Sequence, residues 1–351
     1  MTHRFGASST VLTAAMAVLL APGFLAAQTQ TAKAAPAAAT SKTWTLPRTP
    51  EGQPDLQGYW TSLSFTPMER PAKYGKREFL TDEEMAEVFK SGVQHAYEFT
   101  YANSAETPVY DSTVYALGAW QNGVQPNRRT SLVVDPPDGR IPPLTPEGEK
   151  SRAEMKKIPT ANENIETQGP VQADDPNDLT LGVRCLSFGG PPILPAAYNS
   201  DVHIVQGAGY VMIEYEWNSE VRVIPLDGRP PLSQNMHRWH GDSRGHWDGN
   251  TLVVETTNFR PGATFQNADP NTLKITERFT RIDARTIEYK FTIDDPATWT
   301  KPWSAIVPLS HSDGPMFEYA CAEGNNGIVN ILAGARATER AAAKDQPKAS
   351  N

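Results

Sequence analysis

Cysteine is scarce: the 351 residues hold two, Cys185 and Cys321. A lipid-anchored export signal needs a cysteine at its cleavage point, and neither position serves. Basic excess is also missing, with 32 Lys+Arg against 40 Asp+Glu, which argues against a nucleic-acid partner wanting a basic face. Aliphatic content is low and prolines number thirty, a balance that disfavours a helical protein. No solenoid-type repeat is visible, and His-Glu-x-x-His, the helical zinc signature, is absent.

Among the segments that are present, His3 and Arg4 precede an apolar run over 11–25 that ends at Ala26-Ala27. Charged, apolar and small residues in that order mark a secretory signal peptide, too short for a membrane span. The expected organisation is a signal peptide over 1–27, a disordered Ala/Thr-rich linker over 28–43, one β-rich domain over 44–336 and a disordered tail over 337–351. A soluble chain in the periplasm or secreted, with no membrane anchor, follows as an expectation. In that compartment Cys185 and Cys321 are expected to form a disulfide.

Gly58-Tyr-Trp60 opens the ordered part; in lipocalin-like barrels a Gly-x-Trp starts the first strand and its Trp plugs the floor. Thr81-Asp-Glu-Glu84 forms a capping box, so a helix is expected over 82–97. Pro146 begins a second, running to 157. A short strand is expected over 130–135, and a long polar excursion over 161–178. Strands are then expected over 202–205, 210–217, 221–224, 251–257, 273–282, 286–293, 304–309 and 316–321. Together they predict an all-β fold, an antiparallel barrel or sandwich with short helical insertions near the N-terminus.

The densest chemical stretch is His237-Arg-Trp-His-Gly-Asp-Ser-Arg-Gly-His-Trp-Asp-Gly-Asn250, read as a loop delivered onto a sheet. His246 and His240 suit acid–base work near neutrality, with Asp242 as orienter and Arg244 as anion clamp. Strand alternation in 273–282 puts Glu277 among Leu273, Ile275 and Phe279, where a carboxylate must be paired, protonated or facing a wet cavity. A buried partner such as Arg244 would make it a structural ion pair; otherwise Glu277, or Glu214, is the candidate second catalytic carboxylate. Tyr289, on the apolar face of the next strand, would help line a lumen. Trp239, Trp247, Trp299 and Trp303 are candidate substrate platforms, with Glu214 and His203 as further polar contacts.

Gly241-Asp-Ser-Arg-Gly245 matches the Gly-x-Ser-x-Gly nucleophile elbow, but that motif needs a strand before it and a helix after it; an Asp242–Ser243 turn is the simpler reading. His237, His240 and His246 at this spacing match no strong zinc signature, so no metal is expected, nor any cofactor.

Several segments together resemble an uncharacterised family of exported bacterial proteins. They are Pro47-Arg-Thr-Pro50, Pro54-Asp-Leu56, Gly58-Tyr-Trp60, the run from Arg129 to Thr145, Ile224-Pro-Leu-Asp-Gly228, Gly241 to Trp247, Glu277-Arg-Phe-Thr280, Asp295-Pro296, Thr298-Trp299, and Tyr319 to Asn325. The resemblance spans most of the chain after the linker and implies membership, but no particular activity. It also exposes a departure: Ser219-Glu220 stands where those relatives tend to carry His-Asp.

The functional expectation is an exported, cofactor-independent enzyme, a lyase, isomerase or hydrolase, doing acid–base chemistry on a small organic or carbohydrate-derived substrate. The alternatives are a periplasmic binder of apolar or aromatic ligands and a metal-dependent hydrolase.

Overall fold

The computed structural model describes residues 44–98, 122–155, 173–188, 190–196 and 198–345. The expected signal peptide and linker, and most of the 161–178 excursion, lie outside the described residues.

Period-two alternation builds a nine-strand, nearly closed antiparallel barrel. Its strands are β1 (Gly58–Thr61), β3 (Asp201–Gly207), β4 (Tyr210–Tyr215), β5 (Glu220–Pro225), β6 (Asp242–Asp248), β7 (Thr251–Thr257), β8 (Lys274–Arg281), β9 (Thr286–Asp294) and β10 (Trp303–His311). Their order around the wall is β5-β4-β3-β1-β10-β9-β8-β7-β6, and β2 (Val133–Asp135) adds to β10 beside β1. Every neighbouring pair along that path is antiparallel. Direction therefore alternates, and the first and last of nine strands point the same way. β5 and β6 lie side by side with no ladder between them. The barrel has a seam.

Alternate residues fill the interior. Ile275, Glu277 and Phe279 on β8 face inward with Ile287, Tyr289, Phe291 and Ile293 on β9, all fully buried. Trp60, fully buried, donates its indole N–H to the Leu56 carbonyl at 2.9 Å, with the Arg281 guanidinium 5.3 Å from its ring centre. Trp299 and Trp303 are buried in the same core. These are core residues, as Tyr289 is, so the expectation of platforms around an open lumen is corrected: side chains occupy that space.

Across the seam the packing is side chain against backbone. A Cβ on Gly245 would lie 2.7 Å from Leu226 Cδ2 and 2.8 Å from Ile224 Cγ2, so the bare glycine lets the β5 side press against β6. Gly245→Ala is expected to cost about 1–3 kcal/mol through overpacking, read as a lowered urea midpoint.

The capping box forms as expected, Glu84 N–H donating to Thr81 Oγ1 at 3.2 Å and Thr81 N–H to Glu84 Oε2 at 2.9 Å; it starts helix α1 (Asp82–Glu98). Helix α2 is Pro146–Met155. Three expectations are corrected. The 237–250 stretch is not one loop, because β6 occupies half of it. Residues 316–321 form no strand: Phe317 N–H goes to the Glu216 carboxylate at 3.1 Å and Tyr319 packs on Trp217, so side-chain contacts replace a ladder. The expected tail is helical as far as Asp345, within α3 (Gly327–Asp345), whose Ala- and Arg-rich composition favours helix. No described helix is long and apolar enough to cross a membrane.

α3 belongs to a small satellite beside the barrel. Its Ile328, Ile331 and Leu332, together with Val183, pack on Ala173 and Leu179. The expected disulfide, Cys185–Cys321, ties this layer together with a Cα–Cα distance of 5.6 Å.

Candidate functional site at the barrel seam

The connection from β5 to β6 crosses the outside of the seam and is pinned there by the segment after β7. Asn258 donates its side-chain NH2 to the carbonyls of Leu232, Ser233 and Met236, at 3.3, 2.8 and 3.2 Å. Arg238 and Arg260 exchange backbone bonds with this edge, Arg238 N–H to Asn258 O at 3.0 Å and Arg260 N–H to Arg238 O at 2.8 Å. Gly241, at φ +70°, turns the chain into β6; a Cβ there would sit 2.6 Å from Thr256 Cγ2. The polar stretch is thus pinned as a rim, and a cleft of about 530 Å³ is lined by that rim and β5. Ligand pockets commonly have this size.

At the base of the rim, His240 Nε2 lies 2.5 Å from Glu220 Oε2 and 3.1 Å from Ser187 Oγ. Ser187 also donates to Glu220 Oε2 at 3.4 Å, and Phe188 N–H donates to Oε1 at 3.0 Å. Both side chains of the pair are largely shielded, with 14% and 9% exposed. The backbone of Gly190 lies under the ring, since a Cβ there would meet His240 Cδ2 at 3.1 Å.

Burial pushes the Glu220 pKa up. The hydrogen bond and charge of His240, with the Phe188 and Ser187 donors, outweigh burial and leave it below the ordinary carboxylate value. A depressed folded-state pKa contributes stability that is present above the unfolded value and lost as pH falls through the folded one. Acid titration of stability below about pH 5 should therefore be shallower in Glu220→Gln, measured as urea midpoints across that range.

In the Ser–His–acid triad the acid takes Nδ1–H while the nucleophile faces Nε2. Here hydroxyl and carboxylate share Nε2. With both groups on one ring nitrogen, the arrangement is not a triad and does not activate Ser187. Ser243 is no nucleophile elbow either: it lies on β6, buried, its Oγ 2.9 Å from Thr256 Oγ1.

Of the expected site residues, His240 and Trp239 line the cleft. The rest do not converge there. His246 is exposed, cross-strand from Val253. Arg244 pairs through Nη1 with buried Asp242 at 2.8 Å, and donates from Nε to the Pro230 carbonyl and from Nη1 to that of Ser243. Glu277 is paired inside the barrel, but with Arg222 and not Arg244, at 2.6 and 3.0 Å. Tyr289 OH donates to Glu277 at 2.8 Å. Trp247 is half-buried against the core. His203 and Glu214 are cross-strand neighbours 3.4 Å apart, with Tyr59 stacked on the imidazole at 4.3 Å.

The three histidines of the stretch do not gather: His237 Nδ1 is 2.9 Å from the Phe259 carbonyl, and no described group of three or more His, Cys, Asp or Glu side chains is placed to hold a metal. Glu220, Ser187 and Arg260 join the site unforeseen; the Ser219-Glu220 departure was the only local signal for any of them. Comparison of the chain with family models, curated proteins and solved structures finds no match.

Proposed function

We propose that this protein is an exported, cofactor-independent enzyme moving a proton on a small organic substrate in the seam cleft, as a lyase, isomerase or hydrolase. His240 is the acid–base group and Glu220 its partner. The observation carrying this reading is the shielded His240–Glu220 pair, 2.5 Å apart at a cleft of ligand size. An imidazole held against an ionised carboxylate can take a proton from a substrate and return it near neutral pH. The Cys185–Cys321 bond supports export to an oxidising compartment. Membership of the exported bacterial family that the sequence resembles is part of the same proposal.

Exposed Val221, Val223 and Trp239 on the cleft wall favour one second reading, a binding protein for apolar or aromatic ligands. The test is to incubate the purified protein with mixed small organic acids, esters and glycosides and follow conversion by mass spectrometry. Loss of a positioned acid–base group costs about 10²–10⁴-fold. His240→Gln should show that loss with the fold intact, and His246→Gln should not. Equal turnover in His240→Gln would sink the proposal. Ligand retention without conversion would leave the binding reading.

A further inference from the structure

The charges around the cleft do not cancel, and their remainder identifies the kind of molecule that fits. Arg222 is neutralised by Glu277 on its inward side, and Glu220 faces His240. Arg238 and Arg260 also line the cleft, and among the described residues neither has an acidic partner. This occurs in a chain whose formal net charge is −8, where carboxylates are plentiful. The Arg260 guanidinium sits 4.0 Å over the Trp239 ring. Stacking engages the flat face of a guanidinium and leaves its in-plane N–H donors available for a forked bond to an anion.

The opposite wall is apolar. Val221 and Val223, 49% and 54% exposed, project from the outer face of β5. A ligand meeting both walls carries a negative head for the arginines and an apolar body for the valines and Trp239. About 530 Å³ is room for one small molecule. Glu220 lines the same cleft and has only His240, a cation only when protonated, against its carboxylate, so a second negative group on the ligand would meet an acidic side chain there.

We infer that the seam cleft selects an organic monoanion, a carboxylate on a flat apolar body, with Arg238 and Arg260 as its anion-recognising residues. This rests on the cleft being the functional site, but not on His240 doing chemistry there.

Three probes test it by calorimetry on the full chain: 1-naphthylacetate, the neutral 2-(1-naphthyl)ethanol, and 1-naphthyl phosphate. A charge-assisted hydrogen bond is worth enough that the carboxylate should bind about tenfold or more tighter than the alcohol. The preference should shrink as salt rises. Arg260→Gln and Arg238→Gln should each weaken the carboxylate and not the alcohol, and the double variant should erase the preference. Equal binding of carboxylate and alcohol, absence of binding by all three, or tighter binding of the dianionic phosphate would each overturn the inference. Both variants alter exposed side chains, and circular dichroism checks that they fold. His240→Gln separates the two proposals. Anion preference without His240-dependent turnover removes only the acid–base reading; His240-dependent turnover without anion preference removes only this one.

Discussion

Glu277→Ala is expected to destabilise the barrel by about 3–5 kcal/mol, the usual cost of leaving one member of a buried ion pair behind. Glu277 is fully buried and Arg222 is 4% exposed. Two charge-assisted bonds join them, and Tyr289 supplies a third donor to the carboxylate. Burial by itself would lower the Arg222 pKa; the charge of Glu277 outweighs it and holds the guanidinium above its ordinary value. Without that charge, an arginine cannot shed its proton at any working pH, so the cation remains in the core unmatched. Arg222→Ala should cost a similar amount from the other side. The double replacement Arg222→Met, Glu277→Leu should recover most of the loss, since it removes both desolvation penalties. Urea titrations of the three variants decide the matter; single variants within about 1 kcal/mol of the parent would mean that water reaches the pair.

Cys185→Ser with Cys321→Ser should produce the second large effect, and a spatially restricted one. The bond joins positions 136 residues apart, and closing so long a loop removes about 5 kcal/mol of unfolded-state entropy in the chain model. The satellite it fastens has a small apolar contact between α3 and the 173–183 region, helped by Arg336 bonding Ala173 O and Asp174. The barrel has its own ladder and core. Hydrogen exchange of the double variant should therefore quicken over 173–188 and 319–345 while β7, β8 and β9 stay protected. Ser187 and Phe188 directly follow this anchor and serve Glu220, so affinity in the cleft should fall too. Uniform loss of protection across the barrel would show that satellite and wall unfold as one unit.

What the sequence made legible was whatever depends on near neighbours. Alternation in β8 alone sets Glu277 among Ile275 and Phe279, where it had to be paired, protonated or facing a wet cavity; which of the three, and with which partner, depends on β5, 55 residues away in the chain. The capping box at Thr81 needs four residues and no tertiary context. β6 failed the same approach because Asp-Ser-Arg-Gly-His-Trp-Asp has little strand propensity of its own. It is a strand through its seven-residue pairing with β7. That pairing also dispersed the expected catalytic group, setting Asp242, Arg244 and His246 on one face of β6 while Glu277 points into the core. His240 meets Ser187 across 53 residues of chain, and no local pattern encodes such a meeting. Density of ionisable residues located the neighbourhood of the cleft without its membership.

The odd number of strands has one more consequence. Where β5 and β6 run abreast without a ladder, residues 220–223 of one and Ser243 of the other line the cleft, and a strand edge without a neighbour has peptide N–H and C=O groups able to bond a ligand. Side-chain replacement cannot delete them. Proteins sharing this wall but carrying different residues at the rim would retain the same backbone handhold, and their preferences would diverge around a fixed place of attachment.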